Sequence, residues 1–197
     1  GILHVADDRG EVHLIDAATG SFICTRGFGL PPIGNPVVSD GVFYMQGVAT
    51  LVYAPAGTCE GTPNQISMDA GVSNAIAVDQ GIVFSAENNL LFPIDPTGIT
   101  PEALASGDQL GPWAPFTAGS DITTAPVIAD GLVLFGTQQG IVHALDLATG
   151  DEIWQFDVGA ATGDIVSIQG TPVVLKNTVI VTTSGGHIVA IATADPQ

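Results

Sequence analysis

Positively charged residues are the scarcest class in this sequence. Only 3 Lys and Arg stand against 20 Asp and Glu, which gives a formal net charge of −17 at pH 7. A chain with this charge is repelled by phosphate backbones and by anionic membrane surfaces, so a nucleic-acid-binding function is almost excluded. The ordinary interpretation of such acidity is solubility of a secreted protein, which we favour over recognition of a charged partner.

Long apolar runs and catalytic motifs are also missing. No run approaches the length of a membrane-spanning helix. No signal peptide is visible, because the chain opens on the strand-like Gly1–Asp7, so we expect any targeting segment to have been removed or to lie outside this sequence. A Gly-x-Ser-x-Gly motif, a phosphate-binding loop and a credibly spaced carboxylate pair are absent. We therefore predict no catalytic, cofactor-binding or metal-binding residues.

Glycine and proline are plentiful, with 25 Gly and 13 Pro between short apolar runs, and this favours an all-β fold. The clearest unit is Ala125–Gly159, whose fourth apolar run carries Trp154. Four short strands joined by tight turns predict an antiparallel sheet of the kind that forms one propeller blade. The four runs of this unit are 125–130, 132–136, 141–146 and 152–156.

Two turn signals recur along the chain in the same order, at spacings typical of four-stranded blades. The turn after the third strand returns at Gly20, Gly57, Gly98 and Gly150. The turn after the first strand returns at Gly41, Gly81, Gly131 and Asn177. We predict an all-β propeller of about three full blades plus two partial ones. The predicted limits are a partial blade at 1–33, blades at 34–71, 72–119 and 120–159, and a partial blade at 160–197.

The ends of this blade series do not close. Unpaired strand edges are an aggregation hazard, so we expect either that the chain is part of a larger ring or that a partner covers its ends. The stretches 58–71 and 99–119 are irregular and rich in Pro and Gly. Loops of this length either carry function or only pad the rim of the ring.

Residues 144–154 read ALDLATGDEIW and follow the turn GTQQG. This segment resembles the pyrroloquinoline-quinone (PQQ) type propeller repeat, and weaker matches extend along nearly the whole chain. The resemblance implies that the repeat tryptophan docks between neighbouring blades, which would be the role of Trp154 beside Gly150. Cys24 stands where the first blade should carry its tryptophan, and Ala192 replaces the aspartate of the last blade.

The resemblance implies one of two functional branches. One resembles quinoprotein dehydrogenases, which use PQQ and a calcium ion; the other resembles non-catalytic propellers such as the outer-membrane assembly lipoprotein that scaffolds β-barrel insertion. Family dehydrogenases carry an adjacent cysteine pair over the cofactor, whereas Cys24 and Cys59 are far apart in this sequence. The only cations, Arg9, Arg26 and Lys176, align with turns or the end of an outer strand, not with the strands that line the axis.

We therefore predict a non-enzymatic, extracytoplasmic propeller that acts as a scaffold or protein-interaction subunit of a larger assembly and uses no cofactor. Its partners would be proteins, or the remaining blades of a larger chain, that cover the open ends. We expect no nucleic-acid partner and no membrane span. Two alternatives stay open: a fragment of a PQQ-dependent alcohol or sugar dehydrogenase, and a sensor or ligand-binding lobe of a receptor.

The two cysteines are predicted to form a structural disulfide. Cys24 lies on the outer strand of the first blade and Cys59 just past the third strand of the second, and adjacent blades bring such rim positions together. A chain that looks secreted and has only two cysteines favours a bond between them. The alternative is a pair of free, buried thiols.

The four histidines, His4, His13, His143 and His187, raise the question of a metal site. His13 and His143 occupy the same place in two repeats, which favours a packing role, and a metal site is the less favoured alternative. Asp7–Glu11 resembles a calcium loop but lacks the full ligand spacing, so we interpret it as a hairpin turn.

Overall fold

The computed structural model describes residues 1–47, 50–67, 75–98 and 110–193, and the regular secondary structure of these residues is almost entirely β-strand. The predicted fold class, an incomplete propeller of three full and two partial blades, is confirmed. The strands are β1 Ile2–Ala6, β2 Glu11–Asp16, β3 Phe22–Gly27, β4 Val37–Ser39, β5 Val42–Gly47, β6 Thr50–Pro55, β7 Asn64–Ser67, β8 Ala77–Asp79, β9 Ile82–Glu87, β10 Leu90–Ile94, β11 Phe116–Thr117, β12 Val127–Ala129, β13 Leu132–Gly136, β14 Ile141–Asp146, β15 Glu152–Asp157, β16 Ile168–Leu175, β17 Thr178–Thr183 and β18 Ile188–Ala192.

The strands form five antiparallel sheets, each built from strands that are consecutive in the sequence. The first sheet is β1-β2-β3, the second β4-β5-β6-β7, the third β8-β9-β10-β11, the fourth β12-β13-β14-β15 and the last β16-β17-β18. The first strands of the last four sheets, β4, β8, β12 and β16, contact one another in that order. They are therefore the inner strands, and the sheets fan out around them.

Tight turns set the register of each sheet. Between β12 and β13, Asp130 has φ 50° and Gly131 has φ 76°, so both central residues adopt the left-handed backbone of a type I′ hairpin turn. Asp40 and Gly41, between β4 and β5, have nearly the same angles. These Asp-Gly turns match the right-handed twist of the strands, which explains why short apolar runs pair without slipping.

Each pair of neighbouring sheets encloses its own apolar core. Phe43 and Met45 pack against the first sheet, Tyr44 and Val83 lie between the second and third, and Phe135 packs against the third. A further core between the fourth and last sheets is lined by Leu134, Val142, Ile168, Val179 and Val181. Alternate residues of one strand thus face opposite junctions, as the two-residue period of a strand requires.

One short helix, α1 Val158–Thr162, connects the fourth sheet to the last. The Asp157 side chain accepts a hydrogen bond from the backbone N–H of Ala160 at 2.8 Å and caps its start. The helix ends at Gly163, whose φ is 79°. Over the described ranges, no helix has both the length and the apolar character needed to cross a membrane.

Candidate interaction surfaces

Exposed large apolar side chains concentrate at the two ends of the fan. Of the eleven in the described residues, only Val38 and Ile153 belong to the second and fourth sheets. The other nine lie on the first sheet, the last sheet or the linker before it: Ile2, Leu3, Val5, Phe22, Ile23, Ile165, Val173, Leu175 and Ile188. Apolar surface clustered in this way marks an interaction site more often than scattered apolar residues do.

The outward surface of the first sheet has the register of a blade-packing surface. Leu3 pairs with Ile15 and Val5 with His13, so these four side chains share one side of the sheet; we name them the first free face. In the fourth sheet the matching pairs are Val133 with Leu145 and Phe135 with His143. Those three apolar side chains are 0% exposed, because they pack against the third sheet. Leu3 and Val5 are 52% and 47% exposed.

The two equivalent histidines show the same contrast. His143 is buried, stacks on Phe135 at 5.0 Å, and donates from Nδ1 to Glu152 Oε1 at 2.6 Å. His13 is only half-buried, and a 2.9 Å hydrogen bond joins its Nδ1 to Thr25 Oγ1. Its Nε2 lies 3.4 Å from the Asp7 carboxylate. The repeat position therefore serves packing where a neighbouring blade is present.

The remaining histidines also have local partners. His4 accepts a 3.0 Å hydrogen bond at Nε2 from the backbone N–H of Gly57, and its burial lowers its pKa. His187 donates to Asp164 at 2.9 Å. Three potential metal ligands, from Asp7, Glu11 and His13, lie within 4.8 Å of one another. These oxygens and one imidazole nitrogen are the donor types that a divalent transition metal accepts.

The segment resembling a calcium loop is a hairpin turn between β1 and β2. Asp7 Oδ1 accepts two backbone N–H groups, from Arg9 and Glu11, each at 2.9 Å. The hydrogen bond from Glu11 is the main reason that the pKa of Asp7 is lowered. This oxygen is therefore already used within the turn.

The junction between the first and second sheets is held by a disulfide and a buried cation. Cys24 and Cys59 are bonded, with their Cα atoms 6.1 Å apart. Beside them, Arg26 is 5% exposed and donates to the carbonyl oxygen of Gly61 at 2.8 Å and to that of Pro55 at 3.4 Å. Its guanidinium also lies 5.4 Å from the ring centre of Phe28. The outer strand of the first sheet is thereby fixed to the loop after β6.

The junction between the third and fourth sheets is held by a tryptophan that we did not predict. The ring of Trp113 stands over Gly150 so closely that a Cβ there would lie 2.5 Å from it. Its Nε1–H donates to the carbonyl oxygen of Leu147 at 3.2 Å. Trp113, from the outer part of the third sheet, is thus the indole that lies on Gly150, and the blade-docking role expected of Trp154 stays a prediction. Trp113 lies in the irregular stretch 99–119, where no repeat spacing marks it, and residues 99–109 of this stretch are outside the described part.

Trp154 packs against the apolar core between the fourth and last sheets, and it lines an open cleft there. The cleft has a volume of about 900 Å³, and Trp154 is half-buried in its wall. Asp130 and Lys176, from the turns after the inner strands β12 and β16, also line it. Its apolar lining comes from both sheets: Leu132, Leu134, Ile153, Phe156, Val174, Val179 and Ile191. Thr193 also lines the cleft, and residues 194–197, which follow it, are outside the described part.

Comparison with known proteins agrees with this architecture. A curated relative, the outer membrane protein assembly factor BamB of Legionella pneumophila (strain Paris), is 32% identical over 80 residues, which is 38% of this chain and 21% of the relative. The crystal structure of BamB from Moraxella catarrhalis superposes with a TM-score of 0.71 at 19% identity over 96% of this chain and 54% of that one. This chain therefore spans about a fifth of the curated relative and about half of that solved structure.

Two computationally designed proteins share the fold as well. Ika8 superposes with a TM-score of 0.71 at 15% identity, over 97% of this chain and 55% of the designed one. Ika4 gives a TM-score of 0.61 at 15% identity, over 81% and 89% of the two chains. A family model described as outer membrane protein assembly factor BamB matches residues 59–197, more than half of the sequence. On this match, and in agreement with the PQQ-like repeat, the chain belongs to the BamB-type propeller family.

Proposed function

We propose that this chain is a non-enzymatic, extracytoplasmic propeller segment that binds protein segments within an assembly of the outer-membrane assembly factor type. The names of its relatives support the assembly role. The Cys24–Cys59 disulfide supports an oxidising compartment, because such bonds persist in periplasmic and secreted proteins. The observation that carries the proposal is the apolar cleft at Trp154, which lies beside a sheet with three strands in the described ranges.

The cleft suits an extended, mainly apolar segment of a partner polypeptide. Aromatic and aliphatic side chains from both sheets form its walls, including Trp154, Phe156 and Val179. A segment that adds to a sheet edge gains main-chain hydrogen bonds, and its alternate side chains fill apolar pockets. β18 is the edge strand that such a segment would extend. Recognition of this kind depends on alternation more than on sequence, which suits a scaffold with many client segments.

The positions of the cations favour a non-enzymatic role over the quinoprotein alternative. PQQ carries three carboxylates, so its site needs cationic or hydrogen-bonding groups near the axis. Arg26 is buried against carbonyl groups of the second sheet, Arg9 lies in the β1–β2 turn, and Lys176 lies in the β16–β17 turn. A net charge of −17 would add long-range repulsion to any such anion.

We further propose the blade limits stated above. The five sheets fall one in each range, from the first sheet within 1–33 to the last within 160–197, and the linkers between sheets span the limits. The second, third and fourth sheets would then be the full blades 34–71, 72–119 and 120–159.

A single-tryptophan variant tests the function. The chain has two tryptophans, so Trp113→Phe leaves Trp154 as the only indole reporter. A peptide of about ten residues, the length of an outer-membrane β-strand, with aromatic or aliphatic residues alternating with Ser and Thr, is titrated into this variant. We expect a saturable blue shift of Trp154 emission, because the indole loses contact with water.

Two controls make the result decisive. Ile153→Asp places a charge in the cleft at a side chain that is 56% exposed, and it should weaken binding, whereas Val38→Asp on the inner strand β4 should not. A peptide of the same composition without alternation should bind more weakly. Equal binding of both peptides, or no effect of Ile153→Asp, would reject the cleft as the site. Stoichiometric binding of PQQ with calcium would favour the dehydrogenase alternative.

A further inference from the structure

The outer strand of the first sheet carries a cysteine and an arginine where the outer strand of the fourth sheet carries two aromatic side chains. By register, Cys24 corresponds to Trp154 and Arg26 to Phe156. In the second sheet, the position of Arg26 is held by Ile66, which is buried. The other two residues at this position are thus apolar, and a charged side chain there needs an explanation.

Arg26 is a buried cation that has no anion beside it. It is 5% exposed, and among the described residues no carboxylate forms an ion pair with it. Its two terminal nitrogens donate to neutral oxygens of Pro55, Thr58 and Gly61. Its Nε is buried and has no hydrogen-bond partner in the part of the chain that the structure describes. A buried charge without an opposite charge destabilises a fold, so stability alone does not explain this arginine.

The two cysteines of the disulfide lie beside this cation. Cys24 and Arg26 are two residues apart on β3, so their side chains point to the same side of the first sheet. Thr58, which accepts the 3.4 Å hydrogen bond from Arg26, is the residue before Cys59. Both cysteines are half-buried and pack against the apolar core that contains Phe28, whose ring centre lies 5.4 Å from the guanidinium. A negative charge on either sulfur would therefore form near a buried cation, where a low dielectric strengthens their attraction.

We propose that the Cys24–Cys59 bond is an exchangeable redox site, at which Arg26 stabilises the thiolate released when an external dithiol attacks the bond. A cation next to a cysteine favours its thiolate form, and a better leaving thiolate makes a disulfide easier to exchange. The anion that balances Arg26 is thus absent while the bond is intact and appears when the bond is reduced.

The exchange balances in two steps. A thiolate of the external dithiol bonds to one cysteine sulfur, the bond between the two cysteines breaks, and its electron pair stays on the other sulfur as the thiolate beside Arg26. The second thiolate of the dithiol then displaces the first cysteine sulfur, so the dithiol is oxidised to a disulfide and the protein disulfide is reduced. Of the two protons that the dithiol loses, one is taken up by the displaced cysteine and the other passes to the solvent.

The redox equilibrium of the chain measures the contribution of Arg26. The chain and its Arg26→Met variant are equilibrated with mixtures of reduced and oxidised dithiothreitol, and the reduced fraction is counted by mass after alkylation. The variant should have an equilibrium constant for reduction that is lower by about tenfold or more, because one charge-assisted contact to the thiolate is lost. A variant that only disturbed the fold would be easier to reduce, since a looser fold holds the two cysteines together less well. An unchanged or larger constant would overturn the proposal.

A second cation provides the matched control. Arg9→Gln removes the same charge from the turn between β1 and β2 and should leave the equilibrium constant unchanged. An effect as large as that of Arg26→Met would show that net charge alone matters, and the proposal would be wrong.

Alkylation of single cysteines tests the thiolate directly. Cys24→Ser and Cys59→Ser each leave one sulfur, and its rate of reaction with iodoacetamide follows its thiolate fraction. In at least one of these variants, the rate should reach half its maximum at a lower pH than when Arg26→Met is added. A purely structural role of Arg26 would not move this pH profile, so profiles that stay in place in both variants would overturn the proposal.

This redox site and the proposed binding site can fail separately. The disulfide joins the first and second sheets, whereas the cleft at Trp154 lies between the fourth and last sheets. If Arg26→Met leaves the redox equilibrium unchanged while the alternating peptide still binds at Trp154, the redox site is wrong and the proposed function stands.

Discussion

The junction between the first and second sheets and the junction between the third and fourth sheets are held at the same place by different chemistry. We call them the first and the third junction. In both, the outer part of one sheet is fastened to the turn after the third strand of the next sheet. At the first junction a disulfide and the buried Arg26 make this contact, and at the third junction Trp113 lies on Gly150. The first contact is a covalent bond, whereas the aromatic contact requires a residue without a side chain at position 150. The comparison predicts that the two junctions respond differently to substitution.

The largest effect is expected at the aromatic contact. Trp113→Ala removes a nearly buried indole and its hydrogen bond to Leu147, and should lower the free energy of unfolding by about 3–5 kcal/mol. Trp154→Ala is the matched control, because this indole is half-buried in an open cleft. Urea unfolding of both variants measures the difference. Equal losses of unfolding free energy would show that the two tryptophans stabilise the fold equally, and this would contradict the prediction.

The second-largest loss of stability is expected when the disulfide is removed. Cys24 and Cys59 are 35 residues apart, and the chain-entropy model gives about 3–4 kcal/mol for a loop of this size. The double variant Cys24→Ala/Cys59→Ala should lose stability by that amount in urea unfolding. Intact mass with and without reduction verifies the bond, since the oxidised chain is lighter by two hydrogens. A chain of unchanged mass would exclude the disulfide in solution.

A smaller loss of stability is expected when the glycine under the Trp113 ring gains a side chain. Gly150→Ala sets a Cβ against Trp113, whereas Gly20→Ala, in the equivalent turn of the first sheet, meets nothing within 4 Å. Both glycines have positive φ, 75° and 72°, so both variants carry the backbone cost of about 1–2 kcal/mol. Overpacking should add about 1–3 kcal/mol at Gly150 alone. Thermal unfolding of the two variants gives this difference directly.

The smallest loss of stability is expected when the aspartate of the turn at Gly20 or at Gly150 is replaced, and it should be equal at the two turns. The side chains of Asp16 and Asp146 accept backbone N–H groups at equivalent positions, and these bonds lower the pKa of each carboxyl. A carboxyl with a lowered pKa stabilises the fold above its unfolded pKa, and the contribution is lost as pH falls through the folded pKa. Asp16→Ala and Asp146→Ala should therefore cost similar stability at neutral pH and little in strong acid. Thermal melts across that pH range check this, and unequal effects would show that the turns depend on their neighbours.

The strands and their turns could be predicted because their signals are local. An apolar run followed by Asp130-Gly131 specifies a hairpin whatever surrounds it, and the same pattern repeated at Gly41 and Gly81 indicates blades. The equivalence of His13 and His143 could also be read from the repeat. Its consequence for burial could not, because burial depends on whether another sheet stands on that side.

The contacts between sheets were harder to predict because they are set by the tertiary arrangement. Trp113 does not stand at the repeat position of a docking tryptophan, so its place over Gly150 could not be found from spacing. The role of Arg26 was missed for a similar reason, since a lone cation at a strand end is usually solvated. Here its donors meet the carbonyl groups of Gly61 and Pro55, and carbonyl groups have no signature in the sequence.

Every sheet is built from strands that are neighbours in the sequence, and this arrangement governs how the chain gains its structure. Except between β10 and β11, where residues 95–115 intervene, paired strands are joined by short loops, so strand pairing requires little long-range search and should be fast. Cooperativity must then come from the cores between sheets, each of which links only adjacent units. Among the residues that the structure describes, the first and last sheets have such a core on one side only, and their backbone amides should exchange with deuterium before those of the third sheet.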